Sequence, residues 1–216
     1  LNVHWIEYPY FGVKRGIHNR DYWAGSIQQI LKKPLINKEK YIDQSVILMS
    51  EQIQTPSNFY DQTPCPFRQK GGSHKAHDLL DTFLEGRGEN YQKEMSSPIT
   101  AENSCSRLSP HFAHGTISLR QAYQLAEKKR FDVQSTNKVF AKSINAFLSR
   151  LYWRSHFIQK LEDEPSIELQ SFIPLYDDIR DQDEEKLQSW IKGETGIPFI
   201  DACMIYLRNH GWINFR

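Results

Sequence analysis

The sequence predicts an all-α fold, a bundle of helices behind a loop-rich N-terminal connector. Three observations carry that expectation. Apolar residues recur at helical spacing through the second half of the chain, residues that start and stop helices bracket those repeats, and no stretch alternates apolar and polar side chains as a half-buried strand would. The clearest repeat is Phe140, Ile144, Phe147, Leu148, Leu151 and Ile158, which fall on one helical stripe. Ser135 stands where it can cap that helix, which runs to about Glu162 before Pro165. At ~1.5 Å per residue such a helix is about 40 Å long, enough to cross a domain.

The other elements follow along the chain. Residues 21–33 read as a helix stopped by Pro34. The stretch TPSNFYDQTPCPFRQKGG, residues 55–72, carries three prolines and a glycine pair and reads as extended. Residues 1–72 are therefore expected to be a connector with one or two short helices, and residues 73–216 the helical domain. Ser73 is placed to cap a helix to about Gly86, with Leu79, Leu80, Phe83 and Leu84 on one side. Ser118 and Gln121 form the S-x-x-Q pattern of a capping box, opening a helix to about Lys129. Asp183 opens another that ends near Gly193. Pro198 suits a first helical turn, and Gly211 a C-terminal stop.

Bulk properties narrow the function classes. The 216 residues are 39% hydrophobic, 12% aromatic and 25% charged, a globular composition. Net charge is +1, so the whole chain does not attract nucleic acid or membrane by charge alone. The charge is unevenly placed: residues 107–160 hold ten Lys/Arg against Glu127 and Asp132, and residues 161–185 hold ten Asp/Glu against Arg180. The basic stretch suits phosphate, and equally an ordinary solvated helix surface. Cys65, Cys105 and Cys203 have neither disulfide nor zinc spacing, so no metal is expected and a reducing, cytoplasmic setting fits best. No apolar run is long enough for a membrane span. The chain starts at Leu1 and stops in mid-pattern at Arg216, as a piece of something longer would.

The segment ENSCSRLSPHFAHGTISLRQ, residues 102–121, gathers Ser104, Cys105, Ser106, Arg107 and Ser109 between two helical stretches. Small hydroxyls and free backbone N–H groups at a loop-to-helix junction suit a phosphate or pyrophosphate. A polar turn that merely caps helices is the competing reading, and Arg107 could equally pair with a carboxylate. His111 and His114 have no third ligand nearby and are expected to serve surface or capping roles. On the long helix, Arg150, Trp153, Arg154 and Phe157 share one face. A Trp between two Arg suits base stacking and phosphate contact, or an ordinary packed edge.

Several motifs in series carry a resemblance. Tyr91-x-x-x-Met95-x-x-Pro98, then S-C-S-R-L-S-P, G-T-I-S-L-R-Q, YWRSHF at 152–157, W-x-x-G-E-T-G-I-P-F-I-D-A-C-M at 190–204 and GWINFR at 211–216 follow the order of the photolyase/cryptochrome family. Residues 73–216 resemble the first half of that family's helical FAD-binding domain. The resemblance implies that Cys105, Ser106, Arg107, Leu108 and Ser109 form the loop on the flavin's phosphates, with Cys105 where a threonine is usual, and that Tyr91 touches FAD from the other side. It implies that Trp153 lines the cavity over the flavin against a flipped pyrimidine photoproduct, with Arg150, Arg154, Phe157 and Arg216 on damaged DNA. Phe215 aligns with an asparagine near the flavin N5, Arg150 with a glutamate that contacts the lesion, and Ile205 with an arginine. Asp201 is implied to make a structural hydrogen bond; Trp190 and Trp212 match family positions but are expected to be core aromatics.

The implied activity is light-driven DNA repair by electron transfer from reduced FAD. A blue-light photoreceptor without repair, or a cofactor-free helical DNA-binding module, are the alternatives. Family members continue with helices that complete the FAD site, so this chain alone is expected to bind FAD weakly or not at all and to expose apolar surface on residues 198–209.

Overall fold

The structure, a computed structural model, describes residues 12–17, 21–35 and 64–214. Every described secondary-structure element is helical: α1 (Trp23–Lys32), α2 (Ser73–Thr82), a π-helical turn (Phe83–Arg87), α3 (Tyr91–Glu94), α4 (Ala101–Ser104), α5 (Ser109–Ala113), α6 (Leu119–Val133), α7 (Lys138–Asp163), α8 (Glu184–Lys192) and α9 (Pro198–His210). Two short 3-10 turns, Pro165–Glu168 and Pro174–Tyr176, follow α7.

The stripe that predicts α7 is the stripe it buries. Phe140, Ile144, Phe147, Leu148 and Leu151 are buried, and Ile158 is half-buried. They pack along α6, whose Leu119, Ala122, Tyr123 and Ala126 face them. Phe83 is central. Its ring lies 4.9 Å from that of Phe147 and meets Tyr91 edge-on at 5.6 Å. Burying such a side chain contributes about 1.5–3 kcal/mol. Gly88 makes this packing possible, because a Cβ there would sit 2.5 Å from the Phe83 ring.

The N-terminal pieces are tied to this core by side-chain amides. Gln159, fully buried on α7, donates to the Lys14 carbonyl and accepts from the Lys14 N–H. Gln124 donates to the Leu31 and Lys33 carbonyls, satisfying two of the acceptors left open at the end of α1.

Helix starts differ in detail from the sequence expectations. Ser73 is the first residue of α2 rather than its cap, and Gly72 at φ 101° precedes it. Asn137, not Ser135, caps α7 by accepting from the Phe140 N–H. An amide oxygen one residue before the helix reaches that N–H, whereas Ser135 lies two residues too early. The expected capping box is half formed. Ser118 accepts from the Gln121 N–H, but the Gln121 side chain turns to His77 Nε2 at 2.9 Å. Asp183, Gly193 and Gly211 act as expected, with Gly193 at φ 73° and Gly211 at φ 61° in the left-handed region.

Helices α8 and α9 pack on each other, and neither contains a buried residue. The expectation of a core Trp190 is therefore corrected: on α8 it is 48% exposed, and α9 is the described element that packs on this helix.

Candidate functional site

The segment between α4 and α5 lines a cavity of about 330 Å³. Tyr91, Cys105, Ser106, Arg107, Leu108 and Ser109 line one side, and Arg150, Trp153, Arg154 and Phe157 of α7 the other, with Trp212 also in the wall. The two groups of residues that the sequence set apart thus share one space. Phe215 and Arg216 lie outside the described residues.

The loop conformation explains why its donors remain available. Arg107 is the one described non-glycine residue with positive φ, at 61°, and Leu108 beside it is right-handed. Neighbouring residues of opposite hand turn successive N–H groups to one side, the backbone form of an anion nest. The Cys105 N–H is used, bonded to the Ala101 carbonyl at 2.9 Å. The Leu108 N–H reaches only the Ser106 hydroxyl, at 3.4 Å. The N–H groups of Ser106, Arg107 and Ser109 have no acceptor among the described residues.

Side chains hold this strained turn in place. Arg107, 9% exposed, donates from Nε to Gln69 Oε1 at 3.1 Å, while Gln69 Nε2 donates back to the Arg107 carbonyl at 2.9 Å. Its guanidinium lies 4.0 Å over the Trp212 ring and 3.5 Å from the Glu102 carboxylate. Both readings left open for Arg107 are therefore realised: it pairs with a carboxylate and still lines the cavity. Trp212 is half-buried under that cation, a wall residue more than a core one. The connector reaches α9 as well. Phe67 N–H and Cys65 Sγ donate to the Asn209 carbonyl, and the Phe67 ring stacks on His210, which stacks on Tyr206 at 3.8 Å.

The electrostatics suit an anion. Burial pushes the Cys105 thiol up to about 11 against the pull of Arg107 and Arg87, so it stays neutral and adds no repelling charge. Burial, reinforced by Cys105, pushes the Tyr91 phenol up to about 12 against Arg150, leaving it a neutral donor. On α7, Trp153 is 48% and Phe157 55% exposed, with their rings 5.8 Å apart. Arg150 lies 5.4 Å over the Trp153 ring.

The histidines divide. His114 is exposed at the end of α5, as expected. His111 is a correction: it is 3% exposed, with Nδ1 2.8 Å from Thr116 Oγ1. Burial, followed by His114, lowers its pKa and so favours the neutral ring. Asp201 does make the structural contacts expected of it. Its carboxylate accepts from Thr195 N–H, Thr195 Oγ1 and Gly196 N–H, tying the turn before α9 to that helix. No cluster of metal-ligating side chains occurs among the described residues.

A family profile described as the FAD binding domain of DNA photolyase matches residues 147–216. A deoxyribodipyrimidine photo-lyase of Halobacterium salinarum is 33% identical over 146 residues, which is 67% of this chain and 30% of that protein. The chain belongs to the photolyase/cryptochrome family. Cryptochrome-2 of Gallus gallus is 28% identical over 148 residues, covering 67% of this chain and 25% of its own length. The crystal structure of a Synechocystis cryptochrome superposes with a TM-score of 0.63 at 24% identity, over 75% of this chain and 34% of that one, and shares the helical fold. The chain spans about a third or less of these relatives. Membership supports FAD as the cofactor of the parent protein, and the cavity fits one part of such a group: neutral donors and a cation at a turn, beside exposed aromatic rings.

Two residues that carry the site gave no signal in the sequence. Gln69 sits in the stretch that its prolines and glycine pair mark as an extended connector. Arg87 donates to backbone carbonyls, acceptors that every residue possesses and no pattern reveals.

Proposed function

We propose that this chain supplies the phosphate-binding loop and one wall of the FAD site in a photo-lyase-like flavoprotein acting on damaged DNA. The observation that supports this most directly is the single cavity joining the Cys105–Ser109 loop to the Trp153 face of α7. Ser106, Arg107 and Ser109 would hold the pyrophosphate through main-chain N–H groups and hydroxyls, with Arg107 adding charge. Tyr91, neutral and buried against Phe83 and Phe147, would contact the group from the start of α3. Trp153 and Phe157 offer exposed ring faces to a flipped pyrimidine, and Arg150 and Arg154 flank them for phosphate. What the bound flavin would supply is a light-released electron for the photoproduct, recovered once the bond has broken.

Arg150 supports a second reading. A cation 5.4 Å over the Trp153 ring competes with a pyrimidine for stacking on that ring, and it reverses the charge of the glutamate to which the family resemblance aligns it. A photoreceptor that binds flavin without repairing DNA has no need of that face.

The deciding experiment illuminates the parent polypeptide with an oligonucleotide carrying a defined pyrimidine dimer and follows the lesion by chromatography. Loss of the dimer in blue light, absent in the dark, is expected for repair. Flavin photoreduction with the lesion intact favours the photoreceptor. Tight, strongly salt-dependent DNA binding by a preparation lacking flavin absorbance would overturn both in favour of a cofactor-free DNA-binding module. The 216-residue chain alone is expected to retain little FAD, and stoichiometric flavin in the purified chain would contradict that.

A further inference from the structure

The π-helical turn Phe83–Arg87 delivers one guanidinium to the back of the loop. Arginine has five N–H donors in a rigid plane, and here each has an acceptor. Nε donates to Thr82 Oγ1 at 3.4 Å, Nη1 to the Asn103 carbonyl at 2.8 Å and to the Cys105 carbonyl, and Nη2 to the Leu79 carbonyl at 3.0 Å and the Ser106 carbonyl at 3.4 Å. Three of the five acceptors belong to residues 103–106.

The peptide geometry turns this grip into a consequence for the opposite face. In a trans peptide the carbonyl of one residue and the N–H of the next point in opposite directions, and no described peptide bond is cis. With the Cys105 and Ser106 carbonyls drawn onto Arg87, the N–H groups of Ser106 and Arg107 are driven away from it. Ser106 and Arg107 line the cavity, and their N–H groups, like that of Ser109, have no acceptor among the described residues. We infer that Arg87 is a positioning residue, which fixes the loop from behind so that the Ser106 and Arg107 N–H groups converge on an anionic phosphate bridge. The inference rests on the phosphate-loop reading of the proposed function and deepens it. It concerns the chain's own backbone, so bound flavin is not needed to test it. A lysine at 87 would keep the charge but offer three donors from one atom, too few and too compact to span carbonyls on both sides.

The test is a titration of the ¹⁵N-labelled 216-residue chain with inorganic pyrophosphate, read at the backbone amides of residues 105–109. In the wild type, the Ser106 and Arg107 amides are expected to shift in a saturable way. In Arg87→Ala, affinity is expected to fall roughly tenfold, the scale of lost hydrogen bonds to a charged group, while the amides of α6 and α7 keep their positions. Low-millimolar guanidinium, but not sodium at equal ionic strength, is expected to restore the response, a rescue that general loosening of the fold would not show. Should Arg87→Ala fail to fold, Arg87→Lys decides, with an expected weakening of roughly threefold or more. A wild-type chain whose loop amides ignore pyrophosphate overturns the phosphate-loop reading together with this inference. Normal pyrophosphate affinity in the folded variant, or loss that guanidinium does not rescue, overturns the role of Arg87 alone.

Discussion

Along α7, Ile144 is fully buried and Phe147 is 3% exposed, whereas on α9 Phe199 is 62% exposed and no residue is buried. Both helices carry apolar side chains at helical spacing, and both fall at least partly within residues 147–216, which the family profile matches. The difference lies in what surrounds them. Helix α7 has α6, α3 and the Phe83 turn to pack against, while α9 has α8 and the connector. Amphipathic spacing states that a face is suited to burial. It does not state whether the described residues supply the cover.

The sharpest way to break that contrast is to truncate one ring in each region. Phe147→Ala should cost about 3–5 kcal/mol in chemical denaturation, as buried aromatic truncations do. Phe199→Ala should change stability by no more than about 0.5 kcal/mol, because the ring is already largely hydrated. Comparable losses would mean that α9 is packed far better than its exposure implies.

A smaller effect sharpens the picture of the core itself. Gly88→Ala places a methyl 2.5 Å from the Phe83 ring, and overpacking of this kind destabilises by about 1–3 kcal/mol. Gly71→Ala meets no atom within 4 Å, so its melting temperature should match the wild type. The two glycines separate close packing from mere chain flexibility.

In the α8–α9 region the expected effects are local. Hydrogen bonds from Thr195, side chain and backbone, and from the Gly196 N–H lower the Asp201 pKa. A carboxylate whose folded pKa is depressed contributes order that is present above its unfolded pKa and lost as pH falls through the folded value. The protection of the Thr195 and Gly196 amides, measured against the intrinsic exchange rate at each pH, should therefore fall on acidification below the ordinary carboxylate range. In Asp201→Asn that protection should be low at every pH, with α6 and α7 unaffected.

The smallest expected signal is chemical. With its thiol pushed to about 11, Cys105 should be alkylated slowly at neutral pH, and the rate should climb until the solution approaches that value. Mass spectrometry of the modified peptide reads this directly, and rapid labelling near pH 8 would show the loop more open than its burial implies.

How far the molecule was legible follows the same division. The stripe on α7, the Asp183 cap and the Gly193 and Gly211 stops depend on nearby residues, and each was readable. Ser135 misled because two plausible caps stood two residues apart and only the three-dimensional start of α7 selects Asn137. His111 and Trp190 were misjudged in opposite directions, since burial depends on elements distant in sequence. The loop residues and the Trp153 face were each readable as patterns, but their shared cavity is a tertiary fact. Arg87 and Gln69 work through main-chain oxygens and amides, and no composition or spacing announces that.

The grip of residues 65–69 on both the Arg107 turn and the end of α9 bears on how short the polypeptide can be made. A version starting at residue 64 would retain the Phe67 ring sandwich and the paired amide contacts of Gln69. One starting at residue 73 would discard both at once, leaving a left-handed arginine without its clamp and a terminal helix without its mooring. Residues 64–72 thus link the Arg107 turn to the Asn209 end of α9 in a single short segment.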